Sequence, residues 1–410
     1  MTTFRAPKGT EDILPPDSQW WRRAYRNFDD LCERYGYGLT LTPLFEDTEV
    51  FARGVGGDTE VVEKQMYTFE DKGGRSITLR PEATASVVRA AIQAGGVTTR
   101  FKGSYWGPMF RYERPQKGRN RQFYQAGIEY LGSESPEADV EVIEFGWKYL
   151  EAMGVADVEV RLNSIGDRDD RGRYREALTA FLEERRDRLS PDAQRRIDTN
   201  PMRVLDSKAD ADVVEGAPVP VDYLGDAAAA HFAEVRAGLE GVGIPYVIDN
   251  TLVRGLDYYN RTVWEYVPTS YEAAQSSVGG GGRYDGLFEI LGGKPTPGVG
   301  LAMGVDRILL ASAAVEAAPL LDVFVVAATD DYRSVARTLT SQLRETGWRV
   351  DMTDRPKSIK AQFKDADRAR AAAVFVVGNE WDEGAVTAKR LDTGEQDVIA
   401  VKEIDTWLRA

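Results

Sequence analysis

Apolar residues recur at helical spacing between Asp17 and Tyr35, where Trp20, Trp21, Tyr25 and Phe28 mark the side of a helix that packs on a core. The stretch GYGLTLTPLFEDTEVFARGVG then reads as a strand running into Pro43, and a proline there favours a sheet edge or an interface. MYTFEDKGGRSITLRPE predicts two strands joined by a turn at Asp71–Lys72–Gly73–Gly74, then a helix from about Ala83 to Ala94 with Pro81 near its first turn. A helix near 137–153 and the strand VEVRLNSIGD come later. From Arg168 to about Val247 the chain is mainly helical and rich in Arg, Asp and Ala, with the interruption GAPVPVDYLG, and this marks an inserted or appended helical subdomain. Residues 248–310 return to strands and glycines, and an alanine-rich linker or helix end follows. Beyond it DVFVVAA, the helix Tyr332–Thr346, WRVDMTD, the helix Ile359–Arg370 and AAVFVVGN alternate as a compact α/β domain.

The stretch Tyr105–Tyr130, YWGPMFRYERPQKGRNRQFYQAGIEY, organises this plan. Two strand-like segments flank a basic, turn-rich loop, so the simplest reading is an antiparallel hairpin. Side chains alternate across a strand. One face therefore gathers Met109, Arg111 and Glu113 with Phe123, Gln125, Gly127 and Glu129. The other carries Phe110 and Tyr112 with Tyr124, Ala126, Ile128 and Tyr130. The first face offers a cation, acceptors for an amine and a ring for stacking, which is the chemistry of a site.

Three further positions bear on that site. Glu82 follows Pro81 where a carboxylate favours a helix N-terminus, and it also follows a strand end, so capping and binding both remain open. The run Gly279–Gly282 permits close backbone approach and precedes Arg283–Tyr284–Asp285; it is expected to form a ligand-facing turn, a linker being the other reading. In GVGLAMGVDR, Arg307 falls near a helix N-terminus, where a cation is poorly placed for the helix dipole, and an anion-binding or ring-stacking role suits it better.

Composition narrows the chemistry. With 410 residues, 42% hydrophobic and 29% charged, the chain holds two or three domains with substantial cores. One cysteine excludes a disulfide framework and suits a reducing compartment. The start MTTFRAPKGTEDILPP lacks a signal peptide's apolar core, and the longest apolar candidate, 311–328, is broken by Glu316, Pro319 and Asp322, so a cytoplasmic protein with no membrane partner is expected. The net charge is −14, yet 111–121 carries five basic residues against Glu113, and 355–370 carries six against Asp365 and Asp367. In the second island Lys357, Lys360, Lys364 and Arg368 fall on one side of a helix. Two basic islands on an acidic body suggest a polyanion touched at two places, or else ordinary solvated charge. The sole histidine, His231, sits in the helical run DAAAAHFAEV and reads as a structural or surface residue. Histidine triads, dyads and paired-histidine zinc sites are thereby excluded.

These motifs together resemble those of the bacterial-type histidyl-tRNA synthetases, a class II aminoacyl-tRNA synthetase family, over essentially the full length. FRYERPQKGRNRQFYQAGIE is similar to the second class-defining motif, GVGLAMGVDRILL to the third, and the segment ending at Pro43 to the first, which forms the dimer interface. LVRGLDYYNRTVWE and GGGRYDGL match the two histidine-specific signatures, with LRPE and LNSIGD alongside. The resemblance implies an α+β catalytic domain over 1–320 on a mixed, mostly antiparallel sheet, with a helical insertion at about 168–247. It implies an α/β anticodon-binding domain over 321–410. The implied reaction joins L-histidine to ATP, taken with Mg²⁺, as an adenylate with release of pyrophosphate, then moves histidine to the 3′ end of tRNA(His). The implied assembly is a homodimer, with no resident metal.

Residue by residue, the resemblance places Arg111 on the α-phosphate, Arg307 on the far side of ATP and Arg254 between the histidine carboxylate and the α-phosphate. It gives Arg119 the terminal phosphates, Phe123 adenine stacking and Glu113 the adenine amino group. Glu82, Thr84, Gln125 and Glu129 would surround histidine, with Tyr258, Tyr259 and Tyr284 towards its imidazole. Arg114 and Gln116 would meet the tRNA acceptor end, and contacts from the basic islands would make tRNA binding salt-sensitive. The chain departs from the family at Tyr124, often His there, at Asn120, often Tyr, and at Ala83, often Gly. None removes a charge that the chemistry needs. Two alternatives are a non-catalytic, histidine-sensing paralogue that regulates ATP phosphoribosyltransferase and a paralogue acting on something other than tRNA. The first lacks the C-terminal module that this chain keeps.

Overall fold

The hairpin around the basic loop forms as Phe101–Phe110 and Gln122–Leu131, inside an eight-stranded sheet. In this computed structural model, residues 4–409 are described except 58, 200, 206, 208, 253–255, 270–276 and 313–318. The strand order is Gly38–Leu39, Phe101–Phe110, Gln122–Leu131, Gly298–Gly304, Gly279–Arg283, Asn260–Pro268, Val158–Ser164 and Tyr246–Ile248. Only the two outermost pairings are parallel, so the sheet is mixed and mostly antiparallel. The chain divides into two compact units, 1–313 and 314–410.

One face of the sheet is apolar and covered by helices. Ser18–Tyr35, Pro136–Ala152 and Asp226–Gly241 bring Phe28, Phe145, Tyr149, Phe232 and Val235 onto Ile128, Leu301, Trp264 and Tyr266 in one cluster. Phe28 meets Phe145 and Tyr149 edge-on at 5.7 and 5.5 Å between ring centroids. Such pairs add about 0.5–1.5 kcal/mol each to the burial itself. The even-numbered face of the hairpin belongs here: Ala126 and Ile128 are fully buried, and Tyr124 and Tyr130 pack against the cluster.

The glycine run departs from expectation: Gly279–Arg283 is a central strand and not a turn. Its neighbours explain why. Gly281 stands between Leu301 and Trp264, and Gly279 between Met303 and Tyr266, all buried on the helix-covered face. A Cβ at Gly279 would lie 2.9 Å from the Met303 side chain, and one at Gly281 would collide with the Gly300 carbonyl and lie 2.6 Å from Trp264. Beneath this strand the fully buried guanidinium of Arg283 is held by Asp139 and by the carbonyls of Ser133 and Ser135. His231 meets the same carboxylate at 3.3 Å, so the one histidine is a buried structural group.

A second correction concerns the stretch before and after Pro43. Its strand is limited to Gly38–Leu39, and Phe45–Asp47 joins a separate three-stranded sheet with Tyr67–Glu70 and Ser76–Leu79. Thr48–Val55 is a helix, because Asp47 caps it by accepting from the Glu49 N–H and because Phe51 and Val55, four apart, are both buried. Within the helical region, Arg168–Glu183 and Pro191–Thr199 enclose a core of their own that includes Tyr174, Leu178, Leu182 and Ala193.

The second unit has the strand order Val350–Met352, Leu321–Ala327, Ala371–Val377, Ala385–Arg390 and Gln396–Ala400. Its first three strands are parallel and the last two antiparallel. On the helix Ile359–Arg368, Asp365 pairs with Lys357 and Arg368, which leaves Lys360 and Lys364 as exposed cations with no ion-pair partner among the described residues.

Candidate active site

The other face of the sheet is built almost without side chains. Across the strands, Glu129, Gly300, Gly282 and Val263 stand in one row, and Gly127, Ala302, Gly280 and Glu265 in the next. Gln125 lies between Gly107 and Gly304, and Glu129 between Gly103 and Gly300. These two polar side chains of the hairpin are thus flanked by glycines on both neighbouring strands. A Cβ at Gly300 would run into the Glu129 carboxylate. The result is a smooth floor with polar groups at chosen points, under a cavity of about 580 Å³, within the size range of small-molecule sites.

Cations converge at one side. Arg111 donates from Nε to the Pro81 carbonyl at 2.9 Å, and its guanidinium lies 5.3 Å from the centre of the Phe123 ring. Arg307 donates to the carbonyls of Gly118 at 2.9 Å and Ser277 at 3.0 Å, which fixes it to the basic loop. Arg119 and Glu113 form an ion pair at 2.6 Å, without the alignment of a hydrogen bond. Burial lowers the pKa of Arg307, and the nearby positive charges of Arg119 and Arg111 lower it further. Like charges held this close in a concave site wait for an anion.

Carboxylates and phenols line the cavity as well. Glu82 accepts from the N–H groups of Thr84 at 2.7 Å and Ala85 at 3.0 Å, so it caps the helix Thr84–Gln93 and also lines the cavity. The capping reading therefore holds, and the same carboxyl faces the cavity. Burial pushes its carboxyl above the usual range. Glu129, fully buried just below the lining, accepts from Thr84 Oγ1 at 2.6 Å and from the Tyr284 hydroxyl. Burial raises the Glu129 carboxyl to about 8 despite those two bonds, with the charge of Glu82 adding to the rise. The rings of Tyr258, Tyr259 and Tyr284 form a wall, with centroid separations of 4.5 and 5.5 Å from Tyr258 to the other two. The buried Oε1 of Gln125 has no hydrogen-bond partner among the described residues.

The cavity thus gathers Glu82, Thr84, Arg111, Glu113, Arg119, Phe123, Gln125, Tyr258, Tyr259, Tyr284 and Arg307 from among the residues singled out in the sequence. Glu129 reaches it through Thr84 and Tyr284. Arg114 and Gln116 are not part of the lining; they belong to the loop, where Gln116 and Arg119 exchange both backbone hydrogen bonds around Gly118 in the left-handed region. Arg254 lies outside the described residues. Glu265, Ser277 and Asp306 also line the cavity and were missed. For Glu265 the signal was present: in VWEYV the buried Trp264 and Tyr266 take one face, which turns the lone acid to the other.

Sequence profiles of known families match both units. The profile described as Histidyl-tRNA synthetase covers residues 9–308, and that described as Anticodon binding domain covers 322–410. The chain is 43% identical over 417 aligned residues to the histidine–tRNA ligase of Lysinibacillus sphaericus strain C3-41, covering 99% of each chain. It is 45% identical to that of Geobacillus kaustophilus strain HTA426, covering 99% of this chain and 98% of the other. Among solved structures, the apo histidyl-tRNA synthetase of S. aureus aligns over 100% of both chains with 36% identity and a TM-score of 0.78.

Proposed function

We propose, from the premise that the chain belongs to the histidyl-tRNA synthetase family and acts as a histidine–tRNA ligase, a role for each group around the cavity. ATP is a substrate of this chemistry, with histidine and tRNA. The observation that carries the assignment is the gathering of two sets of charged groups over one glycine floor: the guanidiniums of Arg111, Arg119 and Arg307, and the carboxyls of Glu82 and, just beneath the lining, Glu129.

The nucleotide takes the cationic side. Phe123 stacks on adenine, Glu113 accepts from its amino group, Arg119 holds the terminal phosphates and Arg307 the far side. Histidine takes the acidic side, its ammonium towards Glu82 and Gln125 and its imidazole towards Tyr259, Tyr284 and Glu129. A carboxylate oxygen of histidine then attacks the α-phosphorus as the bond to pyrophosphate breaks. No proton moves in that step, which suits a site without a histidine base. Arg111 and Arg254 screen the two anions and stabilise the charge that develops at phosphorus. In the second step a hydroxyl of the terminal ribose attacks the acyl carbon, AMP leaves, and a substrate phosphate oxygen takes the proton. Arg114 and Gln116 meet the acceptor end, and the second unit reads the anticodon loop.

Among the described residues no group of three His, Cys, Asp or Glu side chains is placed to hold a metal ion. Mg²⁺ enters with ATP as part of the substrate, bound by phosphate oxygens. No helix among the described residues is long and apolar enough to cross a membrane, and we place the reaction in the cytoplasm. There the buried Cys32 thiol, pushed up to about 12 by burial, stays unreactive.

The chain also has a surface suited to a second copy of itself. Leu39, Leu41, Leu44 and Phe45 are 54%, 79%, 44% and 53% exposed, next to the edge strand of the large sheet. Phe45 and Phe69 lie on one face of the small sheet. A run of exposed apolar side chains of this kind marks an association surface. Light scattering is expected to give twice the chain mass for the wild type and the single-chain mass for Leu41→Glu. A monomeric wild type at micromolar concentration would overturn the dimer.

Amino-acid-dependent ATP–pyrophosphate exchange tests the function. Exchange with histidine alone among the twenty amino acids is expected. No exchange with any of them, from a folded protein, would return the regulatory paralogue to first place.

A further inference from the structure

The helical insertion is fastened to the tyrosine wall at defined points. The first helix of the insertion, Arg168–Glu183, carries Arg171, whose guanidinium donates to the main-chain carbonyl of Tyr259 at 3.0 Å. Arg171 is partly buried, and the carboxylates of Asp257 and Asp167 lie in its field. Asp167, at the foot of the same helix, receives both Nε and a terminal nitrogen of Arg261 at 2.8 and 3.0 Å. Arg261 is the second residue of the strand that follows the tyrosines, Asn260–Pro268; its backbone is held in the left-handed region at φ 49 and exchanges hydrogen bonds with Gly166 and Ile165. A non-glycine residue keeps such a conformation only where its surroundings impose it.

The insertion is also closed on itself at this foot. Asp170 accepts from the Asp167 N–H, from Arg173 and from the N–H of Gly225 at the returning end of the segment. Further along, Met202 packs against the insertion's own core and also against the cluster that contains Tyr258, Tyr259 and Tyr284. A body with its own core thus meets the tyrosine wall through a cation on a carbonyl, and the cluster around that wall through an apolar side chain. The Tyr259 ring in turn rests on the glycine floor, where a Cβ at Gly282 would lie 2.6 Å from it. The insertion is therefore tied directly to the backbone of the residue that carries this ring.

We propose that Arg171 is a positioning residue for the amino-acid half of the cavity, coupling the placement of the helical insertion to the Tyr258–Tyr259 wall. Arg171 touches neither substrate; it acts through the Tyr259 backbone. The inference rests on the assignment of that wall to the imidazole side of histidine. Displacement by about 1 Å in such a wall costs up to about 10²-fold in rate, and the coupling implies that whatever loads the insertion changes histidine affinity before it changes ATP affinity.

Steady-state pyrophosphate exchange on the full-length protein tests this with separate KM values for histidine and ATP. Arg171→Met keeps the aliphatic stem and removes the donor. It is expected to raise the histidine KM about tenfold and leave the ATP KM within about twofold. Arg171→Lys, which keeps the charge, recovers at least half of that loss on a logarithmic scale. In a Tyr259→Ala background the Arg171→Met change should cost less than about twofold, because residues acting through one group are not additive. Equal rises in both KM values, an unchanged histidine KM, or effects that multiply in the double variant would each overturn the proposal. If Arg171→Met does not fold, Met202→Ala and Arg171→Lys decide: a histidine-only rise in KM supports the coupling and an unchanged one overturns it. Failure of the functional reading itself looks different, since the wild type would then show no histidine-dependent exchange.

Discussion

Replacing Arg111 with alanine is expected to lower kcat for histidine-dependent pyrophosphate exchange by about 10²–10³-fold, with a much smaller change in the KM for ATP. The asymmetry follows from where the charge develops. In the proposed ground state the triphosphate is also held by Arg119 and Arg307, so binding is expected to survive. In the transition state negative charge builds on the α-phosphoryl oxygens, and the Arg111 guanidinium lies 5.3 Å from the centre of the Phe123 ring, the one assigned to adenine. A preorganised cation in a water-poor cleft is worth far more there than in solvent. The Nε bond to the Pro81 carbonyl shows that the guanidinium is fixed in place before substrate arrives. Losing that bond costs the fold only about 1 kcal/mol, so a large fall in kcat with a nearly unchanged melting temperature separates catalysis from folding. Lysine at 111 keeps a charge without the fork and should fall between.

Glu129→Gln should separate stability from function in the opposite direction. Burial holds the Glu129 carboxyl at about 8, above the value of about 4.5 it has when free. Between those two values the folded state keeps a proton that the unfolded state has lost. The stability associated with that proton is complete below about pH 4.5 and is lost as pH rises through about 8. Glutamine has no proton to lose. The variant is therefore expected to melt close to the wild type at pH 5 and above it at pH 8.5, by several degrees in thermal scans of the ligand-free protein. Over the same change kcat/KM for histidine is expected to fall about tenfold at neutral pH, the worth of one buried hydrogen bond. A variant that melts lower at pH 8.5 would contradict the account of a buried carboxylate kept for its substrate.

Much of the site could be read from alternation alone. Of the odd-numbered positions of the hairpin, Arg111, Glu113, Phe123 and Gln125 line the cavity and Glu129 lies just beneath it, while Met109 is buried in a small core with Ala83, Val87 and Tyr105; the even-numbered ones face the main core at Ala126 and Ile128. This worked because a residue-by-residue period of two survives even where the loop between strands is long. The same reasoning stopped short at VWEYV, where it would have turned Glu265 towards the site. Gly279–Gly282 misled for a physical reason: glycine is unfavourable in an isolated strand, and only the neighbouring Trp264, Met303 and Gly300 show why side chains are excluded there. The helix Thr48–Val55 was hidden by the β-like run before it, and its start depends on a cap at Asp47 that the pattern of apolar residues does not register. Arg171 carries no sequence signal at all. It is one arginine among many in a charged helix, and only the fold brings it to the Tyr259 carbonyl.

The central claim is that one face of the hairpin binds the adenylate and the other does not. The most direct measurement is equilibrium binding of a non-hydrolysable histidyl-adenylate analogue, the histidyl sulfamoyl adenosine, by titration calorimetry. Arg111→Ala and Glu129→Gln, on the cavity face, should each weaken binding at least about tenfold. Tyr124→Phe, on the core face where its ring meets Trp21 edge-on at 5.0 Å, should leave it within about twofold. Equal losses on both faces, or no loss on the cavity face, would contradict the account.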